Sequence, residues 1–336
     1  MSVTSNMETG DEICEMPLIF RSDANMMMTM LPIPKMETQF GKLYEADCMS
    51  ILPCVSANTV DLVFADPPFN LGKEYNSKFD DDVPEQKYIL WCESWLEELA
   101  RVLKPGGALF LFNLPKWNLQ LGAFLAKKLT FRHWISVDIK YSLPIPKRLY
   151  PSHYSLLYFI KGGKPAIFHP DRLPIKTCSH CGKEANDYGG YKDKMNPAGV
   201  NLTDVWYDIP PVRHSKYKKR KANELSLKLL DRVISMASDP GSLVLDPFGG
   251  SGTTFVASEL LGRNWLGIEL ESSAIVERFE NINQDADYLK RLSAGKNLLF
   301  TPESLKLRKQ FGHDTSKYRL NGRAEEPETK LQPILI

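Results

Sequence analysis

The chain has 336 residues, 43% of them apolar and 25% charged, with 42 Lys/Arg against 41 Asp/Glu and a formal net charge of +1. That length buries a full core in one large domain, or one domain with a lobe, and a charge so near zero excludes a globally basic nucleic-acid binder, so any basic surface is local. Cysteines without regular spacing and the lack of a secretory leader predict a reducing, cytoplasmic setting, and no apolar run reaches the length of a membrane span.

Residues 1–38 mix acids, Met and Pro without sustained periodicity and read as a mobile tail. Gly41–Leu52 reads as a strand turning into a short helix at Asp47, a residue type that caps helices. Val60–Ala65 is apolar, β-branched and aromatic, the composition of a buried strand. Asp66-Pro67-Pro68-Phe69 follows. The prolines forbid helix and ladder pairing and stiffen the turn, so the Asp66 carboxylate is expected at the carboxyl end of a core strand. A carboxylate, a main-chain carbonyl and a ring in one rigid turn can grip the amino group of a flat heterocycle. The plainer reading is a Pro-rich turn with an incidental Asp.

Leu71–Asp82 is polar and reads as a loop able to close over a site. Tyr88, Trp91, Trp95, Leu96, Leu99 and Leu103 recur at helical spacing and are expected in the core, with Lys104–Gly107 stopping the helix. A strand over Ala108–Phe112, a polar and aromatic rim over Asn113–Asn118, a helix over 119–130 and a strand over Trp134–Tyr141 are expected next. Ser152–Ile160 reads as a further strand entered by polar residues, Tyr154 among them.

Beyond Gly163 periodicity disappears. From Lys140 to Lys221 sixteen Lys/Arg face six Asp/Glu, densest at Arg213, Lys216, Lys218, Lys219, Arg220 and Lys221. Such a run is commonly a solvated face; interleaved with aromatics, it suits phosphate contact. Cys178 and Cys181 make half a zinc knuckle, and with no second Cys-x-x-Cys the ligand count falls short, so two thiols in a turn are preferred and no metal is expected.

Asn223–Ile234 reads as an amphipathic helix. Leu243–Leu245 is then a short apolar strand, Asp246-Pro-Phe248-Gly-Gly250-Ser251-Gly252-Thr253-Thr254 a tight turn, and the segment to Leu261 a helix. Strand, glycine turn and helix lets backbone approach a ligand at a helix N-terminus. The P-loop lysine is missing. The next strand ends in Glu269, at the usual separation for an acid that holds ribose hydroxyls, and a dinucleotide enzyme would suit these features equally well. A helix over 272–292 closes the core, before a tail.

Taken together, Asp66–Phe69 and Asp246–Thr254 resemble the catalytic and S-adenosylmethionine motifs of the amino-group DNA methyltransferases, in the β-class order, over about Gly41 to Leu270. The resemblance implies an α/β fold: a doubly wound, mostly parallel Rossmann-like sheet with an inserted target-recognition region. It divides the chain into a tail (1–38), a catalytic half (39–162), a basic recognition insert (163–221), a cofactor half (222–295) and a second tail (296–336). It implies S-adenosyl-L-methionine as cofactor, met by Asp47 at the adenine, by the glycine turn and Glu269, and by Asn223 where the family often has Lys-Pro. It implies a flipped base gripped by Asp66 and the Pro67 carbonyl, stacked on Phe69, with Tyr154 packing against it. Family N4 members often carry Ser at the Asp66 position, so adenine N6 is expected ahead of cytosine N4. Double-stranded DNA is the implied partner, at the nucleoid in the cytoplasm; a cognate restriction endonuclease and a homodimer stay open. An RNA or protein amide methyltransferase and a DNA-binding module without catalysis are the competing classes.

Overall fold

The computed structural model describes residues 32–72, 82–139, 146–147, 149, 151–173, 200–210, 224–296, 306 and 309–310. In chain order these form β1 (Met36–Glu37), β2 (Gly41–Glu45), α1 (Cys48–Ile51), β3 (Val60–Ala65), α2 (Glu85–Val102), β4 (Leu103–Asn113), α3 (Pro115–Leu125), β5 (Thr130–Asp138) and β6 (His153–Ile160). There follow β7 (Arg172–Leu173), β8 (Val200–Asn201), β9 (Val205–Trp206), α4 (Leu227–Ala237), β10 (Leu243–Asp246), α5 (Thr253–Leu260), β11 (Asn264–Glu269), α6 (Ser273–Glu280) and α7 (Ile282–Lys296).

Nine strands make one sheet in the order β1-β2-β11-β10-β3-β4-β6-β5-β9. β2, β11, β10, β3 and β4 are parallel to one another, and β6 is inserted antiparallel between β4 and β5. The central strands are apolar on both faces, as parallel strands covered by helices must be. Along β3, Leu62 and Phe64 enter one core with α4, Phe255 and Ile275, while Val63 and Ala65 enter the other with the α2 residues Trp95, Leu96 and Leu99. The architecture is the doubly wound α/β sheet expected from sequence.

Several boundaries differ from expectation. The Lys104–Gly107 run does not end the helix in a loop; it is absorbed into β4, where Gly106 N donates to Lys161 O at 2.7 Å and Lys161 N donates to Gly107 O at 3.0 Å. α3 starts at Pro115, inside the expected rim, because Pro suits the first turn of a helix. The single closing helix is two, broken at Asn281. The insert does not stand wholly apart from the sheet: β9 extends it beyond β5, and Trp206 and Ile209 are buried in the core. Arg232 of α4, 5% exposed, fixes that segment by a fork to Asp208 at 2.9 and 2.6 Å and by stacking its guanidinium over Trp206. Burial alone would raise the Asp208 pKa, but the Arg232 and Lys228 partners prevail and hold it well below the ordinary carboxylate range.

Candidate active site

β3 and β10 are parallel neighbours, with Val244 opposite Leu62 and Leu245 opposite Val63. Their carboxyl ends therefore open on the same edge of the sheet. From that edge the chain leaves β3 through α2 toward β4, and leaves β10 through α5 toward β11, on the other side. Connections diverging from adjacent strands leave a crevice between them, which is where ligands bind in open α/β sheets.

On one wall stands the Asp66 turn. Asp66 is half-buried, Pro67 is buried and Phe69 is 6% exposed. The Tyr88 hydroxyl donates to Pro68 O at 2.6 Å and the Trp117 indole donates to Phe69 O at 2.7 Å. Asn70, at φ 53°, exchanges two bonds with Val83: Nδ2 donates to Val83 O at 2.8 Å, and Val83 N donates to Oδ1 at 2.9 Å. Phe69, Phe112 and Tyr154 form a triangle with ring centroids 6.2, 5.8 and 5.1 Å apart. Phe69 is thus the inner ring of an aromatic wall with little open face, and Tyr154 is half-buried.

The opposite wall is the glycine bend. Gly249 N donates to Ile268 O at 2.9 Å and Gly252 N to Gly249 O at 2.8 Å, with Gly250 at φ 57° and Gly252 at φ 77° capping α5. A Cβ on Gly249 would lie 2.5 Å from Phe255, so the bend has no room for a side chain there. Glu269 is drawn in: Oε2 accepts Gly250 N at 2.5 Å and Oε1 accepts Leu270 N at 3.0 Å. Asp246 is 2% exposed, and its pKa is pushed up to about 7, chiefly by burial and also by the Glu269 charge, against hydrogen bonds from Thr254 and Phe248 N. Phe248 leaves the bend to pack on Trp95 and Trp91 of α2, at 4.9 and 5.7 Å. Those indoles, read as core from spacing, join the helix behind one wall to the turn of the other.

Ser251, Thr253 and Thr254 are 5%, 3% and 2% exposed, so their side chains brace the bend from within. Ser251 and Thr253 are organised by a residue the sequence did not single out. Arg278, 4% exposed, donates to Thr253 Oγ1 at 2.8 Å and to Ser251 O at 3.1 Å, and forks onto Asp285 at 2.9 and 3.0 Å. Nothing in its local spacing marks it, since its partners come from three segments. Asp47 is exposed and caps α1 by accepting Met49 N at 2.8 Å; it lies beyond β2, beside Glu269's strand on the same edge. Asn223, the cluster Arg213, Lys216, Lys218, Lys219, Arg220 and Lys221, and the pair Cys178 and Cys181 lie outside the described residues. Among the described residues no group of three or more His, Cys, Asp or Glu is placed to hold a metal.

A family model described as DNA methylase matches residues 60–279, from the start of β3 into α6, and so spans both walls of the crevice. The chain belongs to the N6/N4 DNA methylase family. The chain is 54% identical over 280 residues to the Type II methyltransferase M.BamHI of Bacillus amyloliquefaciens, covering 83% of the chain and 66% of that relative's length. It is 31% identical over 248 residues to the DNA adenine methyltransferase YhdJ of Escherichia coli, 71% of this chain and 82% of that one. Among solved structures, the cytosine-N4-specific PvuII DNA methyltransferase matches with a TM-score of 0.53 at 18% identity, over 74% of this chain and 92% of that one, a likeness of fold. The amino-group methyltransferase family read from the two motifs, and its sheet, are thereby borne out. No helix among the described residues is long and apolar enough to cross a membrane.

Proposed function

We propose that the chain transfers a methyl group from S-adenosyl-L-methionine to the exocyclic amine of a base in double-stranded DNA, at a specific sequence. The observation that carries the reading is the parallel pairing of β3 with β10, which sets the Asp66 turn and the glycine bend on either side of one crevice. The residues fit the cofactor: a glycine bend too tight for a Cβ at Gly249, with the Ser251, Thr253 and Thr254 side chains buried and an acidic residue closing it. When bound there, the cofactor supplies an electrophilic sulfonium methyl.

The remaining work falls to the chain's own groups. A ring-conjugated amine is a poor nucleophile. The Asp66 carboxylate and the Pro67 carbonyl accept its two N–H bonds, which turns the lone pair toward the bend and stabilises the positive charge developing on nitrogen. Among the described residues no donor reaches Pro67 O, whereas Pro68 O and Phe69 O are both occupied. Holding the amine in line supplies the orientational part of the rate. Because the amine is hidden in a duplex, the base is rotated out, and Tyr154 with Phe69 gives it an aromatic wall. The basic run Arg213–Lys221 meets phosphates, giving binding that weakens steeply with salt. Relatives named Type II methyltransferases support a modification role beside a restriction endonuclease.

Asp66 favours adenine N6 by resemblance, and its acceptor geometry serves cytosine N4 as well. The test is methyl transfer from labelled cofactor to duplex DNA, RNA and protein, followed by digestion to nucleosides and mass identification. N6-methyldeoxyadenosine is expected; N4-methyldeoxycytidine moves the base and keeps the mechanism. Transfer to RNA or protein but not to DNA overturns the reading. Asp66→Ala is expected to lower the rate at least ~100-fold with cofactor affinity kept within a few-fold.

A further inference from the structure

We propose that Tyr88 is a positioning residue for methyl transfer: its hydroxyl, held in turn by Asn113, fixes the Pro68 carbonyl and so sets where the Asp66 carboxylate and the Pro67 carbonyl point. The inference rests on the reading of the Asp66 turn as the amine grip. Neither proline has an N–H, so at these two positions the carbonyl is the only main-chain handle. Each proline ring also locks φ near −65°, which leaves ψ as the soft torsion at both positions. Pinning Pro68 O removes one of these, and the planar peptide between the prolines passes the constraint back to Pro67.

The direction of the bonds supports the assignment. Asn113, fully buried, accepts Leu114 N on Oδ1 at 2.7 Å, which orients its amide. Its Nδ2 then donates to the Tyr88 hydroxyl at 3.1 Å, leaving the hydroxyl proton for Pro68 O at 2.6 Å. The Tyr88 ring is itself immobilised: it is fully buried, 4.7 Å from Trp117 and 5.8 Å from Trp91. Trp117 in turn donates to the next carbonyl, Phe69 O, and the Asn70–Val83 pair fixes the residue after that. Three consecutive residues past Pro67 therefore each have a dedicated anchor drawn from α2, α3 or the chain entering α2. A turn that only needed to reverse the chain would not require one at each position.

Tyr88→Phe keeps the ring and removes the donor. It is expected to lower kcat by about 10- to 100-fold, as a small misplacement of reacting groups does, with cofactor affinity and KM for DNA within twofold of the wild type. Trp117→Phe removes the neighbouring donor and is expected to act in the same direction, which keeps the test open if the first variant folds poorly. A Tyr88→Phe enzyme with kcat within twofold of the wild type overturns the proposal, and so does a variant whose cofactor affinity falls in step with kcat, the mark of general loosening. Wild-type protein that methylates no DNA overturns the reading of the site instead. The crystal structure of Tyr88→Phe then decides separately: a displaced Pro68 carbonyl sustains the positioning role, and an unmoved one removes it.

Discussion

The Asp61 carboxylate accepts the backbone N–H of Leu243 at 2.8 Å across 182 residues of chain. Lys104 Nζ reaches both oxygens of the same carboxylate at 2.8 Å. The bond lies where β10 begins beside β3, so it fixes the register of the two strands whose far ends form the crevice. A hydrogen bond to a charged group contributes about 1.5–3 kcal/mol. Asp61→Ala is expected to cost that much in urea denaturation and to weaken cofactor binding measured by calorimetry. Asp61→Asn, which keeps an acceptor for Leu243, recovers part of both.

Gly252 begins α5 with φ 77°, and a Cβ there would lie 2.9 Å from Ile275. Two independent penalties thus fall on Gly252→Ala, a left-handed backbone and a clash. Substitution at such a position costs more than about 1 kcal/mol, and the bend proposed to receive the cofactor shifts with it. The variant is expected to lose at least ~10-fold in cofactor affinity, on the scale of 1.4 kcal/mol per tenfold. Ile275→Ala in the same chain relieves the clash and leaves the torsion, so it restores affinity only in part. Full restoration would show that sterics alone fix this residue as glycine.

The two walls were legible because their chemistry is local. Two prolines after an apolar run, or glycines between a short strand and a helix, dictate a turn whatever surrounds them. That the Asp66 and Asp246 turns follow adjacent parallel strands was inferred from the rule for doubly wound sheets, and the strands do pair although α2 through α4 intervene. Long-range anchors were not legible. Tyr88 and Trp117 carry the apolar bulk of core residues, and a sequence does not say where the hydroxyl or indole N–H ends up. The stop signal of Lys104–Gly107 holds, since α2 ends at Val102, but pairing beside β6 draws the run into β4, which the stop signal does not announce. β9 is two residues long, too short to leave a periodicity, and is held by Arg232 from another segment.

Arg278 links α7 to the glycine bend, by way of Asp285, Thr253 and Ser251. It also lies 3.5 Å from Glu224, whose side chain is 3% exposed. Truncation to Ala removes the guanidinium from the buried Glu224 carboxylate and from half-buried Asp285, a change that costs up to about 3–5 kcal/mol. Lysine keeps the charge and loses the planar fork, so Arg278→Lys is expected to fold, with intermediate stability and a clear loss of cofactor affinity. Asp285→Asn leaves the contacts to Thr253 and Ser251 in place and is expected to affect stability more than binding. Thermal melts and calorimetric titration of the three variants separate these effects; equal losses of affinity in all three would argue against a specific hold on the bend.

Asp246 makes stability depend on pH in the sense opposite to that of a salt-bridged carboxylate. Its folded pKa is raised from 3.8 to about 7, first by burial. Below pH 3.8 the group is protonated in folded and unfolded chains alike and contributes no difference. As pH rises the unfolded chain releases the proton first, so stability falls through this group until pH reaches about 7, above which the whole cost is present. At about 1.4 kcal/mol per unit, that cost is on the order of 4 kcal/mol. Asp246→Asn keeps an acceptor for Phe248 N and has no proton to lose in this range. The variant is therefore expected to melt at a higher temperature than the wild type at pH 8, with the gap closing as the pH is lowered toward 4. A gap that stayed constant across that range would mean that Asp246 does not titrate in the folded protein.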